Sequence, residues 1–152
     1  WGPRPGLGRV DDPAAIDRAA GRFGLAPREP YLFGFGASDP RKNTDGVIRA
    51  YAKLPAEVRG RVRLLLVGIE GPALDRFRGL ASAEGVGDRV ALAEFAPEDD
   101  LAALLSGAVG LCFPSRSEGF GLPMLDAFVC GTPVLAGNRT SLPEVAGGAA
   151  LL

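Results

Sequence analysis

Histidine is absent from all 152 residues, which removes imidazole triads, His-ligated zinc and any imidazole general base. Acid–base chemistry is left to carboxylates, lysine, tyrosine or cysteine. Cysteine is scarce as well. Cys112 and Cys130 are too few for a four-cysteine zinc site or a dense disulfide framework. Both lie among apolar neighbours, the setting of a small buried thiol, and they point to a reducing compartment. An excess of one charge is also missing: 17 basic against 18 acidic residues leave a net charge of −1, which removes the basic footprint of a nucleic-acid binder. The longest uncharged run, Leu101 to Ser115, contains Gly107, Gly110 and Pro114 and is too short to span a bilayer. No signal peptide, internal repeat or low-complexity tract is visible.

What remains is an ordinary globular composition, 47% hydrophobic and 23% charged. A chain of this length forms one domain and buries about 70% of its unfolded surface. It opens on Trp1, not Met, and reads as a fragment. Residues 1–12 read as a linker or frayed end: Trp1 to Val10 holds three glycines, two prolines and two arginines with no hydrophobic period. Residues 13–152 form the domain. Asp11 or Asp12 caps a first helix that runs to about Phe23, where Gly24 stops it.

Beyond Gly24, two kinds of segment alternate. The short apolar runs Tyr31–Phe35, Val62–Val67, Val90–Leu92, Val109–Phe113 and Val134–Ala136 read as buried strands. Between them, Val47, Ile48, Tyr51 and Leu54 share a helical face, as do Leu101, Leu104, Leu105 and Ala108, and Leu122, Leu125 and Val129. Asn43 or Thr44 caps the first of these, Glu98, Asp99 and Asp100 open the second, and Gly131 closes the third. The predicted fold is α/β: a Rossmann-like parallel sheet with helices on both faces. Ligands then bind at the carboxyl ends of the strands, and two strand-to-helix loops stand out there.

One loop runs Pro114-Ser115-Arg116-Ser117-Glu118-Gly119-Phe120-Gly121-Leu122-Pro123. A glycine turn that opens a helix exposes unpaired N–H groups and the positive end of the helix dipole, which makes an anion site. By themselves the two glycines equally suit a tight turn between packed elements. The other loop carries Arg41 and Lys42, cations that would complete the neutralisation of a phosphate, although one such pair alone equally suits a solvated loop. Glu118 lies in the turn and Asp126 inside the following helix, where its side chain leans back toward the cleft mouth. Carboxylates beside an anion site fit a ligand that also carries hydroxyls, because one carboxylate accepts from two vicinal hydroxyls. A nucleotide sugar answers both features.

The stretch EGFGLPMLDAFVCGTPVLA, Glu118 to Ala136, followed by SLPEVAGGAALL, closely resembles the carboxy-terminal half of family 4 retaining glycosyltransferases of the GT-B architecture. Ser38–Asn43, SDPRKN, matches the same family. The resemblance implies the donor-binding half of a GT-B enzyme whose amino-terminal acceptor domain is absent. It implies transfer of a hexose from a nucleotide diphosphate sugar, GDP-mannose-like or a UDP-sugar, to a glycan or lipid-linked acceptor. Glu118 matches the acid that contacts the donor sugar, and Lys42 the diphosphate-binding lysine; these are the expected catalytic residues. Arg41, Gly119, Phe120, Gly121, Leu122 and Asp126 are the expected donor-binding residues, with Asp126 at the place of the ribose-binding acid, shortened from Glu. Ala37 stands where relatives often carry a companion arginine. Thr140 and Ser141 fall in a loop near the nucleotide side.

No Asp-x-Asp triplet is present, so the expected donor binding is metal-independent and cofactor-free, with no nucleic acid involved. The implied location is cytoplasmic, with the full-length protein peripheral at the inner membrane face. Two other readings stay open: a catalytically silent nucleotide-binding module, or another GT-B enzyme. An epimerase would be expected to use histidine, and a phosphorylase a cofactor-binding lysine, whereas the only lysines are Lys42 and Lys53.

Overall fold

The computed structural model describes residues 2–152. Five strands, β1 (Tyr31–Phe35), β2 (Arg63–Val67), β3 (Val90–Ala93), β4 (Gly110–Phe113) and β5 (Val134–Ala136), form one sheet in the order β3-β2-β1-β4-β5. Every pairing is parallel, with Phe35 opposite Val67, Leu32 opposite Gly110 and Phe113 opposite Ala136. Strand β2 shows why both faces must be covered. Its alternation sends Leu64 and Leu66 into one core and Leu65 and Val67 into the other.

Helices α1 (Pro13–Gly21), α5 (Glu98–Gly107) and α6 (Leu122–Val129) close the first core, around Phe33, Leu104, Leu111 and Phe113. Helices α2 (Thr44–Ala52) and α4 (Gly71–Ala83) close the second, around Ile48, Tyr51 and Phe77. Two short helices, α3 (Ala56–Arg61) and α7 (Leu142–Ala146), complete the chain. Tyr31 is buried among apolar side chains, which raises its pKa, and its hydroxyl donates to Leu104 O at 2.7 Å, tying β1 to α5.

Asp12 caps α1 by accepting from Ala14 N at 3.0 Å, as expected, and the helix ends at Gly21, ahead of the expected Phe23. The face expected for α6 is corrected. Leu122 and Val129 stand exposed, whereas Met124, Ala127 and the following Cys130 are buried. Apolar residues surround this helix, so spacing alone could not choose its inner face. Helix α4 escaped the sequence reading altogether, although Leu74, Phe77 and Ala81 line its buried side. Both thiols are free; burial pushes Cys112 up to about 11 and also raises Cys130.

Strand order reverses between β1 and β4. The crossovers leave the sheet on opposite sides there, and a crevice opens at the carboxyl ends of these two strands.

Candidate functional site

The β1–α2 loop enters the crevice as a short 3-10 turn, Pro40–Lys42, capped by Asp39, which accepts from Arg41 N at 2.8 Å. The Arg41 side chain folds back onto the same carboxylate, with bonds of 2.6 and 2.9 Å to Asp39 Oδ2. That guanidinium lowers the Asp39 pKa. Asn43 follows at φ 57°, a left-handed conformation that asparagine tolerates. The expected side-chain cap of α2 is not made at Asn43, because its amide serves the neighbouring loop. Nδ2 donates to Pro114 O at 3.2 Å, and Oδ1 accepts from Arg116 Nη2 at 3.0 Å. Arg116 N also donates to Arg41 O at 2.7 Å, so three bonds join the loops that follow β1 and β4.

This joining brings Lys42 and Glu118 together. Lys42 Nζ lies 2.7 Å from Glu118 Oε1 and 5.4 Å from the centre of the Phe113 ring. Glu118 is in turn held through its backbone. Its N–H donates to Thr140 Oγ1, and its carbonyl accepts from Ser141 Oγ, both at 3.1 Å. The β5–α7 loop therefore sets the position of the turn. Gly121 caps α6 at φ +99°, and a Cβ there would come within 2.8 Å of Leu142 Cδ2, so glycine is required for both conformation and space. Met124 N is spent on Gly121 O, and Pro123 has no N–H to offer. The N–H groups of Gly119 and Gly121 make no hydrogen bond among the described residues. A lysine, a carboxylate and unbonded backbone donors thus share one loop cluster, with Gly119 exposed and Gly121 buried, and this arrangement suits an anion with a hydroxyl acceptor beside it.

Asp126 differs from expectation. Its side chain is 0% exposed, not open at the cleft mouth. Arg4 N donates to Oδ1 at 2.9 Å, and Arg4 Nε lies 3.2 Å from Oδ2 in an ion pair that lacks hydrogen-bond alignment. The segment read as a linker or frayed end supplies this cover. It has no helix or strand before Pro13, yet Leu7 and Val10 pack on the core and Val10 N donates to Ser106 Oγ at 2.9 Å. Nothing in the sequence signalled Arg4, because a residue so distant along the chain reaches Asp126 only in the folded state.

Two cavities border Arg4, one at the strand ends and one beside the start of α5. One of about 210 Å³ is lined by Phe35, Val67, Gly68, Phe95 and Leu101; the other, of about 410 Å³, by Gly6, Leu7, Glu98 and Asp99. Phe95 stands 71% exposed, an aromatic face beside the crevice that the sequence reading passed over. An apolar cavity of about 260 Å³ lies beneath α2, and none of Lys42, Glu118 and Asp126 lines it.

Comparison with known proteins agrees with this arrangement. The chain is 40% identical over 122 residues to O-antigen chain mannosyltransferase B of Escherichia coli, covering 80% of this chain and 32% of that protein. It is 38% identical over 135 residues to D-inositol 3-phosphate glycosyltransferase of Mycobacterium sp. (strain KMS), covering 84% and 29%. The chain thus spans about a third of the length of these relatives. Among solved structures, sucrose-phosphate synthase of Thermosynechococcus elongatus superposes with a TM-score of 0.77 at 30% identity, covering 96% of this chain and 36% of that one. The family model for glycosyl transferases group 1 matches residues 16–149, from α1 to the end of the last loop. Sequence and parallel sheet agree on one assignment: this chain belongs to the group 1 glycosyl transferases, and its fold is that of the carboxy-terminal half of a GT-B enzyme.

Proposed function

We propose that this chain binds the donor of a retaining, metal-independent hexosyltransferase, with a nucleotide diphosphate sugar as ligand and a glycan or lipid-linked acceptor held elsewhere in the full-length protein. The observation that carries this reading is the 2.7 Å contact of Lys42 with Glu118, next to the glycine turn whose N–H groups make no hydrogen bond among the described residues. An incoming diphosphate displaces Glu118 from Lys42. The lysine and the turn then hold the phosphates, and the freed carboxylate accepts from the sugar hydroxyls. As the anomeric C–O bond breaks, negative charge gathers on the leaving phosphate. Fixed donors aimed at that charge are the protein's main contribution to the rate. Glu118 positions the sugar and does not attack it. The mannosyltransferase relatives support mannose as the sugar, and a GDP-linked donor is the first to test.

Isothermal calorimetry of the chain with GDP-mannose and UDP-glucose tests this reading. Binding of at least one of them, unchanged by EDTA, is the expected result. Binding abolished by the chelator would overturn metal independence, and no binding of either donor would overturn the donor-site reading.

A further inference from the structure

Three of the cations at the carboxyl ends of the strands face a carboxylate: Lys42 with Glu118, Arg41 with Asp39 and Arg4 with Asp126. The pairs differ in what happens when an anion arrives. Glu118 and Asp39 retain access to water, so neither carboxylate would be left dry if its pair opened. Asp126 has no such access, and losing Arg4 would leave its charge buried and alone. Arg4 is therefore held in place from two sides, by its backbone N–H and by Nε. Its guanidinium lies 5.9 Å from the Phe35 ring centre, and its side chain remains 45% exposed. The residue borders a cavity at the ends of β1 and β2 and a second one against the first turns of α5, where Glu98 and Asp99 lie.

We propose that Arg4 contacts the diphosphate of the donor and that Asp126 is its positioning residue, acting through Arg4 and not on the ribose. This rests on the donor-site reading above. A guanidinium is planar by delocalisation, and pairing through Nε leaves its two Nη groups as a fork that matches phosphate oxygens. Because its charge is already balanced by Asp126, what it adds is direction more than long-range attraction. The rest of the segment keeps the fork in register: Leu7 N donates to Arg4 O at 3.2 Å, and Cys130 Sγ lies 3.6 Å from Gly8 O.

The test is calorimetry with GDP, UDP, inorganic pyrophosphate and the free nucleosides. Arg4→Ala is expected to weaken the diphosphates and pyrophosphate by about tenfold while leaving the nucleosides unchanged. Arg4→Lys should not restore the loss, since an ammonium lacks the fork. Asp126→Asn keeps the shape and frees the guanidinium, so a smaller loss confined to the same ligands is expected. If Arg4→Ala does not fold, Arg4→Ala/Asp126→Ala removes both charges of the pair, so that no buried carboxylate is left alone, and carries the test, with the same tenfold loss expected.

Unchanged affinity in a folded Arg4 variant would make the pair a structural one and overturn the proposal. Tighter binding in Arg4→Ala, with stronger preference for ribonucleotide over 2′-deoxyribonucleotide diphosphates, would overturn it too. Arg4 would then be a cover that the ribose displaces from Asp126. Loss of diphosphate binding in Lys42→Ala is the control on the underlying reading. A wild-type chain that binds no diphosphate fails that reading, whereas a response to Lys42 without one to Arg4 fails this inference alone.

Discussion

At the scale of single residues, the ion pairs of the candidate site differ, and only that of Lys42 with Glu118 is proposed to exchange a partner for phosphate. Lys42 gives up Glu118 for phosphate only if the new contact is at least as good, and charge-assisted bonds to a diphosphate meet that condition. Lys42→Ala is expected to cost about 1.5–3 kcal/mol in binding a nucleoside diphosphate, roughly one to two powers of ten in affinity. Free nucleoside should bind both forms alike in the same titration, and loss of nucleoside binding would show that the fold had been damaged. Arg41 is differently placed. Its guanidinium is spent on Asp39, and that carboxylate's pKa is lowered by the bond. A depressed carboxylate pKa stabilises the folded loop above the unfolded value, and the effect disappears as pH falls through the lowered pKa. Around neutrality, then, Arg41 stays turned onto its own loop, and Lys42 is the cation that reaches Glu118.

At the scale of elements, what matters is how helices and loops are fastened to the strands that present the site. Tyr31 joins β1 to α5 through its hydroxyl bond to Leu104 O. Tyr31→Phe removes a buried bond without a change of shape, and it should lower stability by about 0.5–1.5 kcal/mol in a denaturant titration. Donor affinity should be unaffected, because Tyr31 lies at the opposite end of β1 from Phe35. The turn before α6 behaves differently. Gly121→Ala would force a side chain into a left-handed conformation, costing about 1–2 kcal/mol, and would push against Leu142. That pressure falls on α7, whose preceding loop holds Glu118. Weaker donor binding is therefore expected alongside lower thermal stability, and a destabilised variant with intact affinity would separate the turn from the site.

At the scale of the whole molecule, the crevice exists because β1 is flanked by both β2 and β4, so that successive crossovers depart to opposite faces. The loops that follow β1 and β4 meet there, and the β5–α7 loop holds Glu118 through Thr140 and Ser141. The chain spans 32% of the length of the O-antigen mannosyltransferase it matches. We expect it to bind donor without transferring sugar, because holding an acceptor in line with the donor supplies about 7–11 kcal/mol of barrier reduction. A radiolabelled-donor assay with simple glycans should show slow hydrolysis at most; efficient transfer by residues 1–152 would sink this expectation.

Strand positions were legible because burial on both sides leaves near-continuous apolar runs such as Leu64 to Val67, a pattern written locally in the chain. The glycine turn was legible for the same reason, since conformation and helix start are properties of adjacent residues. Lys42 and Glu118 were identified as separate site residues through their motifs, but not as a pair. Their contact depends on bonds from Asn43 and Arg116, whose partners lie in another loop. The inner face of α6 was illegible because apolar residues lie on every side of it and its one charged residue, Asp126, is on the buried side, and packing against β4 and α5 chose Met124 and Ala127. Asp126 shows the division most sharply. Sequence determined that a carboxylate sits in the helix behind the anion turn. Whether it meets ligand, solvent or another side chain depended on where Arg4 came to rest, and burial at zero exposure made that partner an electrostatic necessity.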